Sequence, residues 1–435
     1  MKKIFLTNFV IIFLSCLSCF FSNVDAAADS LPSDITISAL LEDHPTVRLI
    51  AKLLPEFEYQ TGIKVNIEVI PFEMMTKKAR ETLDRKSTLY DVYMDGWVNA
   101  VEWASQGNLE PLDAYIDNSD IRNYLDIEDF IKAYISDARY KEKLYGLPVY
   151  GESTFLYYRK DIFSLYGIKP PESMEDIEVA AKKIKENCKN IYAVTLRGRE
   201  GVHIVYAWAS FLWAFGGRWL NEKGELDLDT PEAVKSAIFF TDLLRNYGPP
   251  ASASFGWNEN RDIFLTGRAA MSIDATVNGA FNENPKYSAV AGKTGYLPTP
   301  KHSKAILKGG QSSLVTHQMY INKHSLNKKQ AFTFISWATS KNVQMKSMQI
   351  EPNSGTTSRH VINSTIFQEK FGAFTESMLK SLKNGNSNYL PIIPESSLIF
   401  EKVGKALSDI LLGNEKAEEA LKKVNHELNE IITLK

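Results

Sequence analysis

The sequence of 435 residues lacks several features that define large classes of proteins. It contains only three cysteines, and Cys16 and Cys19 lie near the amino terminus, so Cys188 would stand alone after removal of that segment. A single thiol can form neither an internal disulfide nor a thiolate metal site. The 50 basic and 52 acidic residues nearly cancel. The charge therefore gives no reason to expect nucleic acid or an anionic membrane surface as a partner.

Long apolar runs are also missing, except at the amino terminus. There a basic start precedes an apolar run over residues 9–21, and small residues form a cleavage pattern that ends at Ala26. This arrangement is typical of a secretory signal peptide over residues 1–26, and it predicts a periplasmic protein. Two alternatives stay open. One is an uncleaved membrane anchor, for which the run is short; the other is lipid attachment after cleavage before Cys16 or Cys19.

The remaining residues alternate between the patterns of strands and helices. Apolar residues predict a strand over 35–41, a helix over 47–57 and a second strand over 63–69. Further strands are predicted at 90–94, 154–159, 191–196, 270–274 and 318–322, and helices at 98–105, at 203–246 with a central turn, at 328–339 and at 400–434. Strands that alternate with helices favour an α/β fold with right-handed crossovers.

Three breaks that contain proline or glycine divide this pattern near residues 147, 297 and 350. If each break is a crossing between two lobes, both lobes are discontinuous and several short segments join them as a hinge beside a cleft. Ligand groups in open α/β sheets come from loops at the carboxyl ends of strands. The predicted N-terminal lobe comprises residues 27–147 and 297–348, and the predicted C-terminal lobe comprises residues 148–296 and 349–435.

One segment resembles a known family. Residues 145–163, YGLPVYGESTFLYYRKDIF, are similar to the hinge-and-strand signature of extracellular solute-binding proteins of carbohydrate ABC importers, the maltodextrin-binding type. Shorter strings at 215–217, 228–232 and 264–271 fit the same family in the same order along the chain. The resemblance implies a two-lobed α/β periplasmic binding protein of type II, with discontinuous lobes joined by a multi-strand hinge.

A narrower resemblance is to the sorbitol/mannitol-binding subgroup. It rests on PVYGES at 148–153, FGGRW at 215–219 and YGPP at 247–250, among other short strings. The resemblance implies that the protein binds a sugar alcohol or a small sugar between its lobes and delivers it to the subunits of an inner-membrane ABC permease. It also implies a monomer without cofactor or enzymatic activity. A binder of trehalose, maltose or another oligosaccharide is the alternative within the same family.

Candidate ligand-binding residues follow from the chemistry of such a ligand. A neutral polyol presents hydroxyl groups and an apolar C–H face, so charged or amide groups must replace water and an aromatic ring must cover the face. Nearly all of the candidates lie at predicted loops or strand ends, while Trp213 lies near the end of a predicted helix. The candidates are Asp43, His44, Asp95, Trp97, Tyr150, Glu152, Arg197, Trp213, Trp257, Asp274, Gly310 and Gln311.

Structural roles compete with binding at each of these positions. Asp43 and Asp95 can cap helices, and the tryptophans can pack in the core. Arg197 can pair with a carboxylate for structural reasons, and Gly310 can be required by the backbone alone. A single sequence does not decide between these roles.

Functions of other classes are also open. A secreted glycosidase needs two carboxylates about 5–10 Å apart, but the sequence contains no catalytic motif, and we expect no enzyme. A ferric-ion binder could use Tyr157 and Tyr158, but adjacent strand residues point to opposite faces. The seven histidines lack the spacing of metal ligands, and no metal is expected. An oligopeptide or polyamine binder has the same two-lobed shape, and Arg197 argues against a polyamine.

Overall fold

A computed structural model describes residues 35–117, 124–350 and 353–433, so the predicted signal peptide and both lipid-attachment cysteines lie outside the described residues. Within these ranges no helix is both long enough and apolar enough to cross a membrane. The strands are β1 (Thr36–Glu42), β2 (Lys64–Ile70), β3 (Val92–Gly96), β4 (Arg139–Tyr140), β5 (Lys143–Leu144), β6 (Gly146–Glu152), β7 (Thr154–Arg159), β8 (Met271–Ala275), β9 (Thr294–Pro298), β10 (Ser312–Ser313), β11 (Val315–Ile321) and β12 (Gly385–Asn386).

Helices surround these strands and account for most of the remaining regular structure. They are α1 (Pro45–Thr61), α2 (Phe72–Asp84), α3 (Trp97–Ser105), α4 (Asp113–Ile116), α5 (Lys132–Asp137), α6 (Lys160–Leu165), α7 (Met174–Asn187), α8 (Val202–Ala214), α9 (Pro231–Tyr247), α10 (Trp257–Leu265), α11 (Asn278–Asn282), α12 (Lys328–Ala338), α13 (Lys341–Ile350), α14 (Arg359–Ile362), α15 (Thr365–Lys383), α16 (Ser396–Leu412) and α17 (Ala417–Thr433).

A five-stranded sheet has the order β2-β1-β3-β11-β6. Strand β1 runs parallel to β2 and β3, whereas β11 is antiparallel to both β3 and β6. Helix α1 is capped by His44, whose Nδ1 accepts a hydrogen bond from the Thr46 N–H at 3.2 Å, and by Gly62 in the left-handed conformation at its other end. Its Phe57 ring packs against Trp337 of α12, with ring centroids 5.0 Å apart. Helix packing therefore buries one face of α1 beside this sheet.

A second, antiparallel sheet of three strands has the order β8-β7-β9. Helix α8 lies at the centre of the core that accompanies it, since every side chain from 204 to 214 is buried. A helix that is apolar on all sides must be covered on all sides. Helices α9 and α16 pack against it, and the Trp208 indole donates to the Ser236 Oγ of α9 at 2.9 Å.

The chain passes from one sheet to the other at Ser153. Glu152, the last residue of β6, pairs with Val315 in the five-stranded sheet, and Thr154, the first residue of β7, pairs with Ala275 in the three-stranded sheet. Residues 148–152 therefore belong to the five-stranded sheet. The predicted lobe boundaries themselves stay predictions.

The α/β class is confirmed, but two predicted elements are wrong. Residues 191–196 form no strand, because their hydrogen bonds go to scattered partners such as Tyr247 and Arg268 instead of one neighbouring strand. The helical stretch over 203–246 is interrupted by more than a turn: α8 ends at Ala214 and α9 begins only at Pro231. In addition, residues 294–298, assigned only to a break, form the edge strand β9.

Candidate functional site

A buried ion pair lies beside the three-stranded sheet. Arg197 Nε lies 3.0 Å from each carboxylate oxygen of Asp274, and its Nη2 also donates to that carboxylate. Asp274 Oδ2 accepts a further hydrogen bond from Asn260 Nδ2 at 2.5 Å. Asp274 is only 1% exposed. A charge in such a place is costly unless it is paired, and the ion pair with Arg197 offsets that cost.

Glu152 lies next to this pair, at the junction of the two sheets. Its Oε1 accepts a hydrogen bond from the Tyr206 hydroxyl at 3.2 Å. The Arg197 guanidinium stacks over the Tyr206 ring at 4.3 Å, and the Tyr206 hydroxyl also lies 3.2 Å from Ser313 Oγ. Burial raises the pKa of Glu152 to about 7, although the charges of Arg197 and His317 oppose that shift.

A second polar cluster lies at the end of β1 in the five-stranded sheet. Glu42 Oε2 accepts a hydrogen bond from the Tyr150 hydroxyl at 2.9 Å and lies 2.8 Å from His317 Nδ1. The Tyr150 ring stacks between His44 and His317, with centroid distances of 3.8 and 4.5 Å. Burial disfavours charge on Glu42 and His317, yet their attraction lowers the pKa of Glu42 and raises that of His317. They therefore form an ion pair.

Two further ionisable groups of this cluster, His44 and Asp95, have pKa values that are shifted towards the neutral form. Burial lowers the pKa of His44 to about 4, so its imidazole is neutral at pH 7. Burial raises the pKa of Asp95 to about 6. Asp95 Oδ1 accepts hydrogen bonds from Gly96 N–H at 2.7 Å and from Asn99 Nδ2 at 2.8 Å, while its Oδ2 has no partner among the described residues. An acceptor oxygen at this position is available to a hydroxyl group.

An irregularity in β6 brings these groups together. Tyr150 lies opposite His317 of β11, but Pro148 lies opposite Gln318, so Val149 is an extra residue in the ladder. Such a bulge bends a strand and redirects its side chains. Tyr150 contacts the Glu42 cluster, and Glu152, two residues later, contacts Tyr206 of the other core. One short strand thus carries side chains to both halves of the site.

The structure places half of the predicted site residues in this continuous polar cluster. These six are His44, Asp95, Tyr150, Glu152, Arg197 and Asp274. The roles of these six residues in ligand binding stay predictions.

The other predicted residues have structural contacts of their own. Asp43 is exposed and its carboxylate pairs with Arg48 at 2.8 Å. Trp97 is buried between rings of the first core, and the Trp213 indole donates to the Tyr389 carbonyl at 3.1 Å. The two tryptophans therefore pack as core residues.

Three residues at the edge of the second core complete the set, and one of them, Trp257, begins helix α10 instead of lying in a loop. The Trp257 indole donates to Asn278 Oδ1 at 2.9 Å and its ring stays half-buried. Gln311 Nε2 donates to the Thr299 carbonyl at 2.8 Å. Gly310 is required by close packing, because a Cβ there would lie 1.9 Å from the Asn384 carbonyl oxygen. All three residues stay partly exposed, and Trp257 is the one of them with an aromatic ring.

Sequence reasoning missed Glu42, His317, Tyr206 and Asn260. Glu42 directly precedes the chosen Asp43, but strand alternation places it on the face of Thr36 and Ser38, so the pattern gave no signal of its burial. Tyr206 lies inside an apolar helix, and nothing in its neighbourhood in the sequence distinguishes it from a core residue. Within the described ranges, no group of three histidine, cysteine or acidic residues could hold a metal ion.

A surface groove elsewhere is a weaker candidate. It has a volume of about 290 Å³ and lies between α16 and α17. Its charged side chains are largely paired with each other, as in Lys405 with Asp409 at 2.5 Å and Lys402 with Glu427 at 3.1 Å. Such exposed pairs are ordinary features of helix surfaces. The buried cluster at the sheet junction therefore stays the candidate site.

Comparison with known proteins gives relatives that match along most of the chain. The mannitol-binding protein of Pseudomonas aeruginosa is 29% identical over 348 residues, which cover 76% of this chain and 78% of that protein. The solute-binding protein of Agrobacterium vitis S4, solved with bound D-mannitol, has a TM-score of 0.82 at 28% identity and covers 92% of this chain and 98% of its own.

A further structure supports the same fold. The solute-binding protein of Agrobacterium radiobacter K84, solved in complex with ribitol, has a TM-score of 0.83 at 25% identity and covers 92% of this chain and 99% of its own. The two-lobed α/β fold is thus confirmed. The family model for bacterial extracellular solute-binding proteins matches residues 44–345. The chain therefore belongs to the family of bacterial extracellular solute-binding proteins.

Proposed function

We propose that this protein is the receptor of an ABC importer and binds a linear sugar alcohol, such as a hexitol or pentitol, between its two lobes. The observation that carries this proposal is the buried polar cluster at the junction of the sheets. Asp274, Arg197 and Glu152 lie on one side of it, and the Glu42–His317 pair lies on the other. The relatives that bind mannitol and ribitol support the same class of ligand.

The chemistry of the cluster suits a ligand with many hydroxyl groups. Each hydroxyl both donates and accepts a hydrogen bond. Carboxylates accept from it, and the Arg197 guanidinium donates to it. Trp97 and Trp213 are buried in the cores, and the Arg261 guanidinium lies over the half-buried Trp257 ring at 4.7 Å, which leaves little flat aromatic surface for a pyranose ring. Many charged hydrogen-bonding groups together with little exposed aromatic surface favour a flexible polyol as the ligand. The alternative within the family is an oligosaccharide.

Transport follows from binding to both lobes. A ligand shifts a protein between open and closed forms only by its difference in affinity for the two forms. Because groups on both sheets face the cluster, a polyol that contacts both would favour closure about the short connections at Ser153. We infer that the closed monomer, exported through the segment 1–26, delivers its ligand to the permease and leaves it chemically unchanged.

A thermal-shift screen tests this proposal. The exported protein is heated with D-mannitol, sorbitol, ribitol, maltose or trehalose at equal concentration. Binding to the native state alone stabilises it by about 2.7 kcal/mol at one hundred times the dissociation constant. We expect the melting temperature to rise with at least one sugar alcohol and to stay constant with the disaccharides. A rise with maltose or trehalose alone would contradict the polyol assignment.

A further inference from the structure

Glu152 is a half-buried carboxylate, and the two cations near it are already paired with other carboxylates. Arg197 is already paired with Asp274, and His317 is already paired with Glu42. Among the described residues, no lysine, arginine or histidine forms an ion pair with Glu152. Within the described ranges, the one hydrogen bond to its carboxylate comes from the Tyr206 hydroxyl, which is neutral. The site thus contains more carboxylates than cations.

The groups on the elements that pack around Glu152 show the same excess of carboxylates and neutral groups over free cations. The titratable and charged groups that act on it are Tyr150 on its own strand, His317 on β11, Tyr134 on α5, Tyr206 on α8, Arg197 in the segment before α8, and Asp274 on β8. Three of these are neutral phenols, and one is a second carboxylate. Both cations have a closer carboxylate partner, so their charges offset the effect of burial on Glu152 only in part.

We propose that ligand binding is coupled to proton uptake: when a sugar alcohol displaces water from the cleft, the Glu152 carboxylate takes a proton from the solvent, so affinity falls as the pH rises. The inference rests on the proposed function. One O–H bond forms on the carboxylate, the buffer supplies the proton, and no other bond changes. The protonated group accepts from Tyr206 on one oxygen and donates to a ligand hydroxyl from the other.

The direction of the coupling follows from solvation. Water around the open cleft still stabilises the charged form of Glu152, and a neutral ligand removes that water without adding a cation. Removal of water raises the pKa of a carboxyl group. Burial already raises the pKa of Glu152 to about 7. Affinity is therefore highest below this pKa and decreases above it, until the pH exceeds the pKa of the complex.

Titration calorimetry with D-mannitol tests the coupling directly. At pH 7.5, phosphate and Tris buffers release very different heats for each proton that they supply, so proton uptake makes the observed enthalpies differ between them. We also expect the dissociation constant to increase about 3- to 10-fold between pH 6.5 and pH 8.5. Both effects should disappear in Glu152→Gln, which keeps the size and the hydrogen-bonding capacity of the side chain.

A matched control removes a similar carboxylate elsewhere. Glu283 accepts a hydrogen bond from the Tyr296 hydroxyl at 2.8 Å, outside the cluster. The difference in enthalpy between buffers and the change of the dissociation constant with pH should both persist in Glu283→Gln. Equal enthalpies in the two buffers for the wild-type protein would overturn the coupling while leaving the proposed function intact. Persistence of the effects in Glu152→Gln and their loss in Asp95→Asn would overturn the assignment to Glu152. No heat with mannitol, ribitol or erythritol at any pH would contradict the proposed function itself.

Discussion

The buried carboxylates of the site fall into two kinds at the scale of single residues. Asp274 and Glu42 each have a cation within hydrogen-bond distance, whereas Glu152 and Asp95 have only neutral donors. Burial penalises the charged form of all four, but a paired cation offsets that penalty. The two kinds should therefore respond in opposite ways to substitution, which allows stability and binding to be separated experimentally.

Removal of a paired carboxylate should destabilise the fold. Asp274→Ala leaves the Arg197 guanidinium buried without its partner, and breaking a buried pair in this way costs about 3–5 kcal/mol. Asp242→Ala is a suitable control, since Asp242 pairs with Arg245 on an exposed helix surface and exposed pairs contribute up to about 1 kcal/mol. Urea unfolding of the ligand-free proteins measures both changes. Equal losses for the two variants would contradict the structural role given to the buried pair.

Removal of the unpaired carboxylate should have the opposite effect at high pH. The pKa of Glu152 is raised to about 7 in the folded protein, so the group favours folding at low pH and this contribution is lost as the pH increases through 7. Glu152→Gln should therefore be more stable than the wild-type protein at pH 8.5, by about 1–3 kcal/mol, with the difference reduced at pH 5. Thermal unfolding at the two pH values checks this. A difference that does not change with pH would show that Glu152 is not the titrating group.

The crossing between the sheets is the decisive feature at the scale of elements. Strand β6 ends in one sheet at Glu152 and β7 begins in the other at Thr154, so a single residue separates two ladders. Helix α5 packs closely on this crossing. A Cβ at Gly151 would lie 2.5 Å from the Tyr134 ring, which leaves no room for a side chain. The glycine is required there for close approach.

A single methyl group at this crossing should therefore be harmful. Gly151→Ala forces β6 away from Tyr134, and overpacking of this kind costs about 1–3 kcal/mol. Gly372→Ala provides the control, because that glycine lies exposed in α15 with no atom within 4 Å of an added Cβ. Alanine is the better helix former, so the control should be more stable by about 0.4–1 kcal/mol. Denaturant unfolding distinguishes the two, and a harmless Gly151→Ala would contradict the packing described at the crossing.

Local sequence patterns predicted those elements whose hydrogen bonds follow a regular ladder. Strand β7 was predicted with the bounds that the structure has, and helices α3 and α12 within one residue or so at each end. Residues 191–196 have the composition of a strand, but they bond in turn to a helix end, a loop and the first residue of β8, which the sequence does not reveal. Helices α13, α14 and α15 were not predicted, and the glycine inside α15 weakens its helical pattern.

The site was harder to predict than the fold because its residues are distant in the sequence. The pairing of Arg197 with Asp274 joins positions 77 residues apart, and the contact of Tyr150 with Glu42 joins positions 108 apart. Residues at strand ends could be chosen from their position, and six of twelve lie in the cluster. Whether a tryptophan lines a cleft or a core depends on packing, so Trp97 and Trp213 could not be placed from the sequence alone.

The whole molecule combines two separate cores with one polar region between them. One apolar core accompanies the five-stranded sheet, and two further apolar clusters accompany the three-stranded sheet. Because each half has its own core, the proposed closure would require no loss of packing in either half. In that proposal, ligand hydroxyl groups would replace water at the junction, and contacts to both halves would favour the closed form.

A crystal structure of the protein with D-mannitol tests this account most directly. The account predicts density for one mannitol molecule between the two sheets. Its hydroxyl groups should lie within hydrogen-bond distance of Glu152 and of the Arg197–Asp274 pair on one side, and of Asp95 or the Glu42–His317 pair on the other. Mannitol bound outside this cluster, or contacting the residues of one sheet alone, would contradict the central claim that a sugar alcohol joins the two lobes.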